Sequence, residues 1–239
     1  MKIKVIMSDK AMSRETMDAR EEMLNAALSS DASVSVDCIK KGPDELDCNT
    51  DEAFAAAEMV KESIRAEKEG YDAIVIYCFS DVGIDAIREN VRIPVIGPGE
   101  VSLAAASMLC SRFTVLTSES INIPRTYRRL MRNGIAREKM VSVRALDIPI
   151  GELRSSPKVT EEYLRAVCKK AVEEDRADGI ILGCLSMAGY GRWIENELPV
   201  KVIDPAFIAV AYAEMSVRTG LVHTQAMYPA FTNNSHVEL

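Results

Sequence analysis

Short β-branched runs alternate with longer stretches of helical period along the chain. "IKVIM" (3–7) is followed by "ETMDAREEMLNAALS" (15–29), then "SVSVDCI" (33–39), a strand–helix–strand rhythm. The helix predicted over 50–70 can be capped by Thr50 and ended by Gly70, and the strand "DAIVIYC" (72–78) follows it. A short helix over about 80–90, the strand "IPVIG" (93–97) and an alanine-rich helix over 100–109 come next. The second half repeats the alternation. Strands are predicted over 112–117, 140–146, 178–184 and 200–204, with helices reaching to about Asn133, over 158–174, to Asn196 and over 205–220. The end, "TNNSHVEL", reads as a frayed tail.

An internal repeat sits inside this rhythm. Laid over one another, "DAIVIYCFSDVGIDAIREN" (72–90) and "DGIILGCLSMAGYGRWIEN" (178–196) match Asp72 with Asp178, Cys78 with Cys184, Ser80 with Ser186, Gly83 with Gly189 and Glu89-Asn90 with Glu195-Asn196, at a constant offset of 184 − 78 = 106. "IPVIGPGEVSLAAA" then parallels "LPVKVIDPAFIAVAYA" in pattern. Two homologous α/β halves account for this with the fewest assumptions.

Composition narrows the function classes. The 239 residues are 48% hydrophobic and 27% charged, enough for one large core or two small ones. The net charge of −7, with no basic stripe carrying interleaved aromatics, argues against nucleic acid as a partner. No apolar run approaches the roughly 18 residues of a membrane span, and "MKIKVIMSDK" reads as a strand, so a cytoplasmic protein without membrane attachment is expected. Six scattered cysteines (38, 48, 78, 110, 168 and 184) form no CxxC pair and fit a reducing compartment. With His223 and His236 the only histidines, a His-rich metal site or a Ser-His-Asp triad has almost no raw material. "GPGE" (97–100) is a turn without the full dinucleotide glycine pattern, no phosphate-binding loop is present, and "YRRLMR" (127–132) reads as a solvated helix face.

The chemistry therefore rests on Cys78 and Cys184. In open parallel sheets ligands bind beyond the carboxyl ends of strands, where both cysteines stand. A helix N-terminus just beyond them would favour a thiolate, with Ser80 and Ser186 as its caps. A lone strand-end cysteine is more often core than catalytic. Two in register within a duplicated unit reverse that balance, whereas Cys38, Cys48, Cys110 and Cys168 lack the context and read as inert structural thiols. Were the halves to face one another about a pseudo-twofold axis, a carbon acid between them would meet a thiolate on one face and a thiol on the other, which suits stereochemical inversion. The turns would supply N–H donors to the developing enolate, and no cofactor or metal is required.

These segments resemble the aspartate/glutamate racemase superfamily, in its hydantoin/allantoin racemase branch. "CFSDVGIDAIRENVRIPVIGPGE" resembles the first cysteine segment of that branch, "SVRALDIPI" its middle strand, "GCLSMAG" its second cysteine segment and "VIDPAFIAVAYAEMSVRTGL" its C-terminal helix. The resemblance implies an α/β fold of two pseudo-symmetric Rossmann-like domains, each a mainly parallel sheet flanked by helices, with the active site in the cleft between them. The first domain would be discontinuous, 1–97 plus 206–239, and the second would be 98–205. It implies cofactor-independent two-base racemisation by Cys78 and Cys184, with substrate contacts from Phe79, Ser80, Leu185, Ser186, Thr117 and Ser118.

One departure bears on the substrate more than on the mechanism. Where the branch carries Asn-Pro-Asn-Thr after the first strand, this chain has Met7-Ser8-Asp9-Lys10, which makes Ser8 and Asp9 the corresponding pocket candidates. Glycine is also absent after Leu185, where Ser186 stands. The expected substrate is a hydantoin, allantoin or a related amino-acid derivative, and the expected assembly is a homo-oligomer. Two alternatives use the same features: a maleate-type cis-trans isomerase with one nucleophilic cysteine, and a non-catalytic two-lobed small-molecule binding protein. A superfamily decarboxylase usually retains one cysteine, which the intact pair argues against.

Overall fold

The structure, a computed structural model, describes residues 1–132, 134, 138–149, 152–153 and 156–230. The expected frayed tail and His236 lie outside the described residues, as does the Asn133 end expected for the fifth helix. Contacts divide the chain into two compact units, Met1–Pro98 together with the chain from Ala209 onward, and Gly99–Ile208.

The first unit runs β1 (Lys2–Met7), α1 (Arg14–Asn25), β2 (Ser33–Cys38), α2 (Asn49–Lys68), β3 (Ala73–Tyr77), α3 (Ile84–Asn90) and β4 (Val95–Ile96). The second runs from α4 (Pro98–Leu109) through β5 (Phe113–Thr117), α5 (Ile123–Arg132), β6 (Met140–Ala145), α6 (Pro157–Glu173), β7 (Gly179–Leu182) and α7 (Gly191–Glu197) to β8 (Lys201–Ile203). Helix α8 (Pro205–Thr219) carries the chain out of the second unit into the first.

Each unit holds one four-stranded parallel sheet, ordered β2-β1-β3-β4 in the first and β6-β5-β7-β8 in the second. The order is the same in each: the second strand joins one side of the first, and the third joins the other. Central strands β3, β5 and β7 are buried at every position, as strands covered on both faces must be, whereas edge strand β2 mixes buried and partly exposed residues. Below β3 and β4 the first core gathers Ile6, Ile74, Ile76, Met59 and Ile87, and the second gathers Leu116, Ile180, Leu182, Leu164 and Ile194.

Several repeated residues have structural explanations. Asp72 accepts the Lys2 N–H at 2.7 Å, and Asp178 accepts the N–H groups of Ser111 and Arg112 at 3.0 and 2.8 Å. In both units this carboxylate ties the entry of the third strand to the entry of the first. Gly83 and Gly189 have φ of +72° and +97°, a left-handed conformation that costs a side-chain-bearing residue.

Some boundaries differ from expectation. α1 stops at Asn25, four residues before the predicted end, because the Asn25 amide bridges to β2, accepting the Val34 N–H at 2.7 Å and donating to its carbonyl at 3.2 Å. Thr50 lies inside α2 and does not cap it. The cap is Cys48, whose N–H donates to Asp51 at 3.0 Å in a capping box. α2 ends at Lys68, and Gly70 follows its C-cap with φ +81°.

Packing is tight just before Cys184. A Cβ on Gly183 would collide with the Leu116 carbonyl oxygen and stand 2.7 Å from Val115 Cγ1, so the backbones of β5 and β7 would have to separate. Gly183→Ala is expected to lower stability by about 1–3 kcal/mol, read as a shift in the urea midpoint at unchanged slope. An unchanged midpoint would show that this approach is not tight in solution.

Candidate active site

The strand order places a topological switch point in each sheet, between β1 and β3 and between β5 and β7, and ligands of open parallel sheets bind at the carboxyl ends there. β1 pairs with β3 with Met7 opposite Tyr77, and continuing the register one step sets Ser8 beside Cys78. β5 pairs with β7 with Leu116 opposite Leu182, and two further steps set Ser118 beside Cys184. Each switch point thus carries the same pair, a serine and a cysteine.

The turns after the two cysteines share a backbone. The Cys78 carbonyl accepts the Asp81 N–H at 3.0 Å, and the Cys184 carbonyl accepts the Met187 N–H at 2.9 Å; 187 − 81 = 106, the offset of the repeat. The N–H groups of Phe79 and Ser80, and of Leu185 and Ser186, lie inside these turns. Both cysteines are half-buried and in no disulfide. Cys78 Sγ lies 3.0 Å from Ser80 Oγ, and either can donate.

Two details correct the expectation of capped helices. Neither Ser80 nor Ser186 caps a helix: α3 begins at Ile84 behind Gly83, α7 begins at Gly191 behind Tyr190, and neither cap residue makes a side-chain capping bond. Ser186 lies within the 3-10 turn Leu185–Met187. The helix field falls away within a turn, so a helix N-terminus is too distant in sequence to govern either thiol directly.

The remaining candidates occupy the same strand ends. Ser8 and Ser118 are each 2% exposed, and Thr117 is buried beside Ser118 at the end of β5. The Thr117 and Ser118 carbonyls accept the N–H groups of Leu146 at 3.0 Å and Ile148 at 3.2 Å. Phe79 and Leu185 have buried side chains, whereas Ser80 and Ser186 are half-buried. Asp9 lies one residue past Ser8, half-buried. Burial pushes its carboxyl up from 3.8 to about 6, against the pull of Arg20 and with Glu45 adding to the rise.

Of the other cysteines, Cys110 and Cys168 are buried, and burial raises both thiols, that of Cys168 to about 12. Burial also raises the half-buried Cys38, with the charge of Asp9 adding to it. Cys48 is exposed at the start of α2, where it takes part in the capping box with Asp51.

Two residues escaped sequence reasoning. Arg20 is 3% exposed, donates to Met7 Sδ at 3.0 Å and stacks on the Tyr77 ring at 5.0 Å, which puts a buried cation at the ends of β1 and β3. Its signal was its spacing, since Met17, Arg20 and Leu24 lie on one helical face. Asp204 accepts the Gly189 N–H at 2.7 Å and so anchors the loop carrying Cys184 to the end of β8. Among the described residues, no group of three or more His, Cys, Asp and Glu side chains is arranged to hold a metal.

The Asp9 environment has a measurable cost. A carboxyl whose folded pKa lies above its unfolded value destabilises the fold when ionised, an effect absent below the unfolded value near 3.8 and complete above the folded value near 6. A shift of about 2 units corresponds to on the order of 3 kcal/mol. Asp9→Asn is expected to be more stable than the parent at pH 8 by up to that amount. The advantage should shrink as pH falls through 6 and vanish near pH 4, measured by urea denaturation across pH. A gap independent of pH would remove Asp9 burial as its cause.

Comparison with known proteins follows the same lines. The family model described as Asp/Glu/Hydantoin racemase matches residues 12–213. The chain is 34% identical to the hydantoin racemase of Pseudomonas sp. (strain NS671) over 220 residues, 92% of this chain and 87% of that protein. Among solved structures, the allantoin racemase from Klebsiella pneumoniae is 28% identical with a TM-score of 0.89, covering 98% of this chain and 94% of that one. The allantoin racemase from Pseudomonas fluorescens is 25% identical with a TM-score of 0.90, covering 98% of each chain. With a family model spanning most of its length and a fold shared with both allantoin racemases, the chain belongs to the Asp/Glu/hydantoin racemase family, in its hydantoin/allantoin branch, and is an isomerase.

Proposed function

We propose that the protein is a cofactor-independent racemase of a five-membered cyclic ureide, a hydantoin or allantoin, or of a related amino-acid derivative, with Cys78 and Cys184 as its two acid–base groups. The observation that carries this reading is the equivalent placement of two half-buried thiols, each after the third strand of its sheet, on the same turn and beside a buried serine. The substrate class follows the names of the relatives.

In this mechanism one thiol attends each face of the substrate's stereogenic carbon. One cysteine, as thiolate, takes the proton from that carbon, and the electron pair moves onto the adjacent carbonyl oxygen as an enolate. N–H groups of the turns at Phe79-Ser80 and Leu185-Ser186 stabilise that oxygen. The other cysteine, as thiol, returns a proton to the opposite face and becomes the thiolate. The enzyme ends with its two protonation states exchanged, ready for the other enantiomer. Ser80, within reach of Cys78 Sγ, donates to that sulfur when it is a thiolate. A reducing compartment suits the reaction, since oxidation of either thiol would remove a base.

Two experiments test this. Cys78→Ser and Cys184→Ser should each lower racemisation by at least about a thousandfold, because a hydroxyl is a far weaker acid than a thiol. The surviving thiol can still exchange the α-hydrogen of the one enantiomer that presents it. Proton NMR in deuterium oxide should therefore find residual exchange with opposite enantiomers in the two variants. Near-normal racemisation in either variant, or exchange favouring one enantiomer in both, would sink the two-base reading.

Thiol alkylation should abolish activity, with substrate protecting. Exposed Cys48 should be labelled early without loss of activity, whereas inactivation should track label on Cys78 or Cys184 in peptide maps. Inactivation that tracks Cys38 or Cys48 would show that other thiols carry the reaction.

A further inference from the structure

The loop that carries Cys184 runs from Gly183 to Tyr190, between the end of β7 and the start of α7. The carbonyls of Cys184, Leu185 and Met187 accept the N–H groups of Met187 at 2.9 Å, Ala188 at 3.2 Å and Tyr190 at 3.3 Å. Bonds of that span curl a chain without fixing where the far end of the curl points. The near end is held by the close approach of Gly183 to the Leu116 carbonyl. At the far end Gly189 turns left-handed, with φ +97°, and gives its N–H to Asp204 Oδ2 at 2.7 Å.

Asp204 is itself fixed. Its Oδ1 accepts the Ala206 N–H at 3.1 Å and its carbonyl accepts the Ile208 N–H at 3.1 Å, the bonds of an N-cap at the start of α8. Capping accounts for one carboxylate oxygen, and the other, turned to Gly189, does nothing for the helix. A serine would suffice for the cap alone, whereas two separated acceptors are needed for both N–H groups. The first unit has a carboxylate at the same place from a different source. There Asp81, in the turn closed by the Cys78 carbonyl, stands with Cγ 2.6 Å from where a Cβ on Gly97 would be, just before α4 begins at Pro98. It does so at a left-handed φ of +53°, which side-chain-bearing residues seldom adopt. The place is common to both units although the sequence position that fills it is not. What the two have in common there is a cysteine turn beside the first turn of a helix.

We propose that Asp204 is a positioning residue for Cys184. Its carboxylate braces the loop against the first turn of α8, and so holds the thiol and the Leu185 and Ser186 N–H groups in the geometry that proton transfer requires. This rests on the two-thiol reading above and deepens it. Proton transfer at carbon tolerates little misplacement of the base, so a loop released at Gly189 loses turnover more than binding.

The test is Asp204→Ser, which keeps an N-cap for α8 and removes the acceptor that reaches Gly189. Amide hydrogen exchange over residues 184–190 should speed at least about tenfold, while β7 and α8 keep their rates. With D- and L-5-isobutylhydantoin, kcat should fall at least about tenfold and KM change by less than about threefold. Proton NMR in deuterium oxide should find α-hydrogen exchange lowered by a similar factor when Asp204→Ser is combined with Cys78→Ser, where Cys184 is the surviving thiol. It should be unaltered when Asp204→Ser is combined with Cys184→Ser. Unchanged amide exchange in the loop, faster exchange throughout β7 and α8 as well, or an equal loss of α-hydrogen exchange in both pairings would overturn the inference. Amide exchange quickened in the loop alone, in a protein whose parent racemises no hydantoin, would uphold the brace and count against the two-thiol reaction instead.

Discussion

The constraint on which the site depends is the parallel pairing of the third strand of each unit against the first, with the second strand on the far side. That order obliges the chain to leave β1 toward β2 and to return on the opposite flank as β3, so the loops beyond the carboxyl ends diverge and leave a crevice. The register Met7 with Tyr77, and Leu116 with Leu182, then decides which side chains border it. A one-residue slip would turn every side chain of the strand to the other face and send Cys78 or Cys184 into the helical layer. The fully apolar central strands resist such a slip because both of their faces are filled, and the carboxylates of Asp72 and Asp178 pin the opposite ends. Position at the reactive end is thus inherited from packing and anchoring at the inert end.

The same accounting separates the repeated residues by role. Gly83 and Gly189 recur because the backbone turns left-handed there, and Asp72 and Asp178 recur because a neighbouring strand needs its first N–H groups paired. Neither pair requires a ligand to explain it. At 78 and 184 the backbone carbonyl closes the turn, which asks for no particular side chain, and the thiol stays half-exposed. What is left over after structure has been accounted for is what chemistry can claim.

Legibility followed the same division. Alternation of strand and helix was readable because each central strand is a short apolar run and each long helix keeps an apolar stripe, and the 106-residue offset carried the duplication directly. The loops after the cysteines were harder. Ser80 and Ser186 look like caps by composition, but a turn closed by the cysteine carbonyl and a left-handed glycine delays α3 and α7, which local sequence preference does not reveal. Arg20 was hidden by its type, since an arginine on an amphipathic helix reads as solvated until its contacts with Met7 and Tyr77 are seen. Asp9 could be singled out by position, but its burial and an unpaired oxygen are properties of the folded surroundings.

The two halves are alike in backbone and unlike in where they keep their acid. In the first unit the turn after the cysteine carries Asp81, whose carboxylate fills the space that a Cβ on Gly97 would need, 2.6 Å from it. In the second the equivalent turn position is Met187, and the carboxylate comes instead from Asp204, at the strand end equivalent to Gly97, reaching back to the Gly189 N–H. A carboxylate therefore stands between turn and strand end in both, supplied from opposite partners, and the glycine at 97 makes room for the one in the first unit. Under the proposed two-thiol reaction, only the backbone geometry around each thiol has to be kept for equivalent proton transfers. The side chains around them are free to diverge. Ser8 and Ser118 show the limit of that divergence. The hydroxyl beside each cysteine is common to both units, whereas the acid that follows Ser8 is the shorter Asp9, held partly out of water with its carboxyl raised, and the one that follows Ser118 is the longer Glu119.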